Sequence, residues 1–210
     1  LHVRSRRQRQ MCIRDRYTAA RGLPALREAI AGFYAQHYRL SIDPQRILIT
    51  PGGSGALLLA ASLLVDPGKH WLLADPGYPC NRHFLRLVEG AAQLVPVGPE
   101  QRYQLTPESV AEYWNGDSVG ALLASPANPT GTLLSAAELA ALSAALKARG
   151  GHMVVDEIYH GLTYGVDARS VLEVDNDAFV LNSFSKYFGM TGWRLGWLVA
   201  PEEAVADLEK

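Results

Sequence analysis

The sequence has 210 residues, of which 48% are hydrophobic and 20% charged, a composition that fits one globular domain and excludes a mostly disordered chain. The formal net charge is -1, and no apolar run approaches the roughly 18 residues that a transmembrane helix needs. Two cysteines far apart, Cys12 and Cys80, offer no disulfide framework. This cysteine usage fits a reducing compartment, so we predict a cytoplasmic protein.

Residues 1–16 differ from the rest of the chain in charge. They hold six arginines and one aspartate, which leaves 14 basic and 20 acidic residues for the body. A nucleic-acid-binding arm, a targeting peptide and sequence foreign to the protein are the competing interpretations. The segment lacks helical periodicity, and Met11 to Arg16 is similar to translated sequencing-adapter DNA. We therefore expect a non-native, disordered leader over 1–16 and a folded domain over 17–210.

The first predicted elements are a helix, a strand and a second helix. Apolar residues at helical spacing predict a helix that opens at Pro24, and a buried strand follows over 47–50. Pro51-Gly52-Gly53-Ser54-Gly55 is a glycine-rich turn into a helix over 56–65. Because the first amides of a helix are unpaired, this turn is a generic anion site. It matches neither a Walker loop nor a nucleophile elbow, and a plain strand-to-helix connection remains an equal alternative.

Strands and helices alternate along the rest of the chain. Apolar runs predict strands over 71–74, 93–97, 119–124, 153–155 and 178–181, and helical periodicity predicts helices over 82–89, 107–113 and 136–149. Such alternation with short loops predicts an α/β fold. We expect a three-layer sandwich, with a mainly parallel sheet covered by helices on both faces.

Polar residues follow five of these strands at the point where each ends. They are Ser54, Tyr78, Asn128, Asp156 and Lys186. Because the carboxyl ends of parallel strands meet at one edge of a sheet, we expect these side chains to line one crevice. Plainer roles remain open, since Tyr78 could cover the core and Asp156 could cap the next segment. The Cys-x-x-His pair of Cys80 and His83 has no second pair, so we predict packing there and no metal site.

Lys186 is the candidate nucleophile. It lies among Phe184, Tyr187 and Phe188, and Arg194 follows eight residues later. An amine in apolar surroundings loses hydration that favours its charged form, which suits attack on a carbonyl and a Schiff base. The alternative is a lysine that extends from the edge of the core to solvent. Ser183 to Lys186 also fits Ser-x-x-Lys, but the Ser-Asp-Asn and Lys-Thr-Gly motifs of penicillin-binding proteins occur nowhere in the sequence.

Residues 17–210 resemble the large domain of a pyridoxal-phosphate-dependent aminotransferase of class I/II, the aspartate aminotransferase fold type. The motifs described above occur in the order and with the spacing of that family. The blocks Asn128 to Gly131 and Asp156 to Tyr159, and the interval from Lys186 to Arg194, carry most of the resemblance. It implies amino-group transfer between an amino acid and a 2-oxo acid, pyridoxal 5'-phosphate as cofactor, and a homodimer.

The resemblance also implies residue roles. Lys186 would form the Schiff base and move the substrate proton, and Asp156 would keep the ring nitrogen protonated. Tyr159 and Asn128 would hydrogen-bond the phenolic oxygen, and Tyr78 would stack on the ring. The expected phosphate ligands are Gly52, Gly53, Ser54, Ser183 and Arg194, with Tyr17 reaching across a dimer interface to the neighbouring subunit's phosphate.

The resemblance leaves other activities open. Family members are nearly twice this long, so we expect an incomplete large domain, with a helix beginning near Pro201 and the C-terminal small domain absent, that is inactive by itself. Lyases and decarboxylases share the same domain and remain alternatives. So does the sensor domain of a transcriptional regulator, although no recognition-helix pattern precedes Tyr17.

Overall fold

A computed structural model describes residues 18–210 as one seven-stranded sheet with helices against it. The strands are β1 (Ile47–Thr50), β2 (His70–Asp75), β3 (Ala91–Pro96), β4 (Ser118–Ala124), β5 (His152–Asp156), β6 (Phe179–Ser183) and β7 (Gly196–Val199). The α-helices are α1 (Pro24–Tyr38), α2 (Gly52–Leu64), α3 (Asn81–Leu87), α4 (Pro107–Tyr113), α5 (Ala136–Lys147) and α6 (Glu202–Leu208). Short 3-10 helices cover Pro44–Arg46, Pro99–Gln101, Val171–Glu173 and Thr191–Trp193.

The sheet has the strand order β1-β7-β6-β5-β4-β2-β3. From β3 to β6 all neighbours are parallel, and only β7 runs antiparallel, between β6 and β1. The predicted mainly parallel sheet is therefore confirmed. The sequence did not predict β7, which is defined by its pairing with β6 on one side and β1 on the other. Val199, for example, lies opposite both Ile47 and Val180.

Buried side chains cover both faces of the sheet, as the three-layer prediction requires. Neighbouring strand residues belong to different cores: Leu72, Leu123 and Val155 pack with α1, α4 and α5, whereas Leu73, Leu122 and Val154 pack with α2, α3 and α6. Each such fully buried side chain contributes on the order of 1.5–3 kcal/mol of hydrophobic stabilisation. This double burial explains why the strands read as continuous apolar runs rather than alternating ones.

The start of α2 differs from the prediction. The helix begins at Gly52 and not at Ala56, so the predicted glycine turn forms its first turn. Gly52 has a φ of +78°, which glycine adopts at little cost. The glycines therefore bring the unpaired amides of α2 to the carboxyl end of β1.

Within residues 18–210, no helix combines the length and the apolar character that a membrane crossing requires. The expected leader over 1–16 and Tyr17 lie outside the described residues, so these predictions stay predictions.

Candidate active site

The five predicted strand ends meet around one cavity. Its volume is about 210 Å³, and it is lined by Ser54, Tyr78, Asn128, Asp156 and Lys186. Gly53, Tyr159 and Arg194 complete the group of predicted site residues in its wall. Gly52 and Ser183 are not in the wall, but Gly52 precedes the wall residue Gly53, and the Ser183 hydroxyl lies 2.8 Å from that of the wall residue Ser185. The expectation of a single crevice at the carboxyl edge of the sheet is thus met.

Asp156 ends β5 and is half-buried in the cavity wall. The Ile158 N–H donates to its Oδ1 at 3.0 Å, which fixes the carboxyl group. Burial raises the pKa of Asp156 to about 7, and the Glu157 carboxyl acts in the same direction, while the Ile158 N–H and the Lys186 ammonium favour the ionised form. A carboxyl in this state would be stabilised as an anion by a cationic partner in the cavity.

Lys186 follows β6, and its Nζ lies 5.4 Å from the centre of the Tyr159 ring. The prediction of an apolar neighbourhood for Lys186 is wrong, because this residue is exposed. The neighbouring aromatic residues pack elsewhere: the Phe184 ring lies 5.0 Å from that of Trp197, and the Phe188 ring lies 5.5 Å from that of Phe33. The amine therefore faces the cavity and solvent rather than the core.

Tyr159 and Asn128 form the polar side of the cavity next to Asp156. The Asn128 amide donates to the Tyr159 hydroxyl over a long distance of 3.4 Å. Both side chains are half-buried, so their polar groups remain able to bond a ligand. Tyr78 is 44% exposed and presents its ring to the same cavity.

The start of α2 and Arg194 form a cationic corner of the cavity. A Cβ atom added to Gly52 would lie 2.8 Å from Nη2 of Arg194, so the guanidinium packs directly against the glycine. A Cβ on Gly196 would lie 2.6 Å from the carbonyl carbon of Gly52 and 2.8 Å from the nitrogen of Gly53. These glycines let β7, the guanidinium and the first amides of α2 approach closely. The corner, which includes the exposed Ser54, suits an anion such as phosphate.

Two serines before Lys186 occupy different positions. Ser183 is buried, donates to the Leu195 carbonyl at 3.1 Å and accepts from the Ser185 N–H at 3.1 Å. Its hydroxyl lies 2.8 Å from that of Ser185, which does line the cavity. The motif pointed to Ser183 and not to Ser185, because the direction of each hydroxyl depends on how the backbone turns after β6. It also missed Thr191, whose hydroxyl donates to the Ser185 carbonyl at 2.6 Å.

Cys80 and His83, which have metal-ligand spacing, are not part of a metal site within the described chain. No group of three or more histidine, cysteine, aspartate or glutamate side chains in residues 18–210 is arranged to hold a metal ion. Cys80 instead lies next to Tyr78, and a hydrogen bond between them raises the pKa of the tyrosine hydroxyl.

Comparisons with known proteins give matches over most of the chain. Residues 3–210 match the family model described as "Aminotransferase class I and II", a range that includes most of the expected leader. The valine--pyruvate aminotransferase of Mycobacterium tuberculosis is 42% identical over 187 residues, which are 88% of this chain and 48% of that protein. The aspartate aminotransferase of Thermotoga maritima is 32% identical over 93% of this chain and 52% of its own length.

A solved structure agrees with these sequence matches. The crystal structure of an aminotransferase from Mycobacterium tuberculosis superposes with a TM-score of 0.87 at 38% identity, covering 95% of this chain and 56% of that one. The chain spans about half the length of the curated relatives it matches.

Proposed function

We propose that this chain, which belongs to the class I and II aminotransferase family, carries the cofactor site of a pyridoxal-phosphate-dependent enzyme. The reaction would move an amino group between an amino acid and a 2-oxo acid. The observation that carries the proposal is the meeting of Lys186, Asp156 and the Gly52–Arg194 corner around one cavity.

The residues present fit pyridoxal 5'-phosphate group by group. The amine of Lys186 matches its carbonyl carbon, and Asp156 matches its ring nitrogen. Asn128 and Tyr159 match its phenolic oxygen, and the ring of Tyr78 can stack on its face. The corner formed by Gly52, Gly53, Ser54 and Arg194 matches the phosphate, and the guanidinium packs so closely on Gly52 that it would have to move for a larger residue there.

Each residue then has a defined task in the reaction. Pyridoxal phosphate, when bound, supplies a ring that withdraws electrons from the substrate α-carbon. Lys186 would hold the cofactor covalently, and its amine, when free, would accept and return the α-carbon proton. Asp156 would be held ionised by the protonated ring nitrogen and would in turn keep that nitrogen protonated, because each charge would stabilise the other in a half-buried wall.

The phosphate corner and the serines before Lys186 position the cofactor. The Arg194 guanidinium and the amides of Gly52 and Gly53 hold the phosphate without taking part in proton transfer. We propose that the Ser185 hydroxyl, which faces the cavity, contacts the cofactor. Ser183 would hold Ser185 in place through their 2.8 Å contact. By fixing the phosphate, these residues would keep the reacting carbon of the cofactor within reach of the Lys186 amine.

The proposal extends to assembly and location. We infer a cytoplasmic homodimer that acts in amino acid metabolism, with Tyr17 reaching the phosphate site of a neighbouring subunit. Residues 17–210 would form most of the large domain, and turnover would need the rest of the longer protein. The 42% identical relative is named for valine and pyruvate, which makes this pair the first substrates to test.

The experiment supplies the full-length protein with pyridoxal phosphate, valine and pyruvate, and follows alanine formation. We expect alanine to appear, and we expect no turnover from the isolated 210-residue chain. Further amino donors and 2-oxo acids would be tested if this pair is inactive. Release of ammonia or a thiol, with no new amino acid from any acceptor, would contradict the proposal and favour a lyase.

A further inference from the structure

Glu157 follows Asp156 directly but lies in the core, on the other side of the chain. The residue is fully buried, with 0% of its surface exposed. Its Oε1 accepts hydrogen bonds from the Ser170 hydroxyl at 3.0 Å and from the Val171 N–H at 2.9 Å. Its backbone N–H donates to the Leu181 carbonyl at 2.9 Å, which ties the residue to β6. The side chain thus joins the cavity segment to the 3-10 helix Val171–Glu173.

His160 is the second buried ionisable residue of this segment. The His160 N–H donates to the Glu157 carbonyl at 2.9 Å and closes a turn that contains Tyr159. Its Nδ1 lies 3.0 Å from the Tyr38 hydroxyl at the end of α1 and 3.6 Å from Oε2 of Glu157. Oε2 of Glu157 and Nε2 of His160 are buried and make no hydrogen bond of ordinary geometry within residues 18–210, although the Ser125 backbone is close enough to His160 to oppose the lowering of its pKa.

The surroundings of this pair disfavour charge on either group. Within the described residues, His160 is the only basic side chain within 4 Å of the Glu157 carboxyl. Burial raises the pKa of Glu157 to about 8 and lowers the pKa of His160 to about 4. The other ionisable groups that face the pair are Tyr34 and Tyr38 of α1, Asp156 of β5, and Glu173 of the 3-10 helix.

We propose that Glu157 and His160 are positioning residues, an uncharged buried pair that holds Asp156 and Tyr159 in the cavity wall and leaves Asp156 as the only charged carboxyl of this turn. The inference rests on the proposed function, because it assigns a role toward the cofactor. A protonated Glu157 keeps the acceptor for Ser170 and Val171 and adds no second negative charge beside Asp156. A neutral His160, with its proton on Nε2, accepts from the Tyr38 hydroxyl.

The decisive variant is Glu157→Gln, which keeps the shape and the acceptor but cannot ionise. In the full-length protein we measure cofactor affinity by absorbance titration, and the pH midpoint of the cofactor band. We expect Glu157→Gln to bind pyridoxal phosphate within about threefold of the wild type, with a midpoint shift under roughly 0.3 pH units. Glu157→Ala leaves Ser170 and Val171 without an acceptor, and we expect about tenfold or more weaker binding.

Asp175→Asn is the matched control, because Asp175 is also a buried carboxyl but accepts from Lys147 and Ser143 at 2.6 Å each. Loss of its ion pair should lower the thermal midpoint of Asp175→Asn, whereas Glu157→Gln, which needs no proton to stay neutral, should not lower the midpoint below that of the wild type. Cofactor affinity and band midpoint should stay at the wild-type values in Asp175→Asn, since Asp175 is not in the cavity wall.

Several outcomes would overturn the inference while the proposed function stands. One is a tenfold loss of affinity, or a midpoint shift above one unit, in Glu157→Gln, since either means that the site uses a charged Glu157. Another is a doubly protonated His160 in ¹⁵N spectra of histidine-labelled protein near pH 7. Unchanged cofactor binding in a folded Glu157→Ala would remove the positioning role. Failure of the proposed function has a different signature, namely a wild-type protein with no cofactor band.

Discussion

Asp156 and Glu157 are adjacent in the chain, yet Asp156 lines the cavity while Glu157 is fully buried behind it. The arrangement follows from the alternation of side chains at the end of β5, a strand with a helix-covered core on either face. Two carboxyls that are neighbours in the chain therefore lie in different environments. The pH dependence of protein stability reports on both of them.

Protein stability should fall as the pH rises from 6.5 to 8. In the cofactor-free protein, the folded-state pKa of Glu157 is raised to about 8 and that of Asp156 to about 7, so the folded protein holds protons that the unfolded chain has lost. His160, whose pKa is lowered to about 4, has the opposite sign but acts only below its ordinary value of 6.5. Urea unfolding across pH 6.5–8 should show roughly 1 kcal/mol per pH unit from Glu157, and Glu157→Gln should remove that share of the slope. A flat or rising profile would refute the assignment.

Gly52→Ala should weaken cofactor binding at least about tenfold, because the new methyl group meets the Arg194 guanidinium at 2.8 Å. Gly68→Ala is its control: its φ of +82° resembles the +78° of Gly52, but a Cβ there meets no atom within 4 Å. Both variants should lose about 1 kcal/mol of stability through backbone strain. Only Gly52→Ala should change the affinity for pyridoxal phosphate, and equal affinities in the two variants would argue against the phosphate corner.

Ser183→Ala and Ser185→Ala should have separable effects. Ser183→Ala leaves the Ser185 N–H without its acceptor and removes one of the two donors to the Leu195 carbonyl, which keeps the Phe184 N–H, and should cost about 1–3 kcal/mol in unfolding free energy. Ser185→Ala removes a hydroxyl from the cavity wall and should mainly raise the dissociation constant for the cofactor. Chemical denaturation measures the stability effect and absorbance titration measures the cofactor affinity. If Ser183→Ala mainly weakened cofactor binding and Ser185→Ala mainly lowered stability, Ser183 and not Ser185 would be the cofactor contact.

Asp156→Asn should leave the fold intact but lower the rate constant for amino transfer by about 10²–10⁴. The amide has the same shape and can still accept from the Ile158 N–H, but it cannot keep the ring nitrogen protonated. Glu157→Gln, the same change one residue later, should retain most of the activity. A comparable loss in both variants would contradict the different roles of these neighbours.

Much of the fold was predictable from local patterns. The apolar runs of β1 and β4 are bounded by turn residues, and α4 has the predicted limits Pro107–Tyr113 because Thr106 caps a short periodic segment. The meeting of five strand ends followed from parallel strands alone. These features depend on residues that are close in sequence.

The remaining features depend on contacts between distant parts of the chain. The burial of Glu157 requires Ser170 and Val171 on a loop that no periodicity predicts. Lys186 is exposed because its aromatic neighbours pack on Phe33 and Trp197 instead of on the amine. The choice between Ser183 and Ser185 depends on the turn toward Leu195 and on β7, which pairs with strands far away in the chain.

The most direct test asks which lysine holds the cofactor. Full-length protein is incubated with pyridoxal phosphate, reduced with borohydride, digested and mapped by mass spectrometry. The chain offers four lysines, at 69, 147, 186 and 210, and Lys69→Ala serves as a control because its amine is paired with Asp117 away from the cavity. We expect the label on Lys186, its retention in Lys69→Ala and its loss in Lys186→Ala. A cofactor-binding wild-type protein that carries its label elsewhere, or no label at all, would contradict the account.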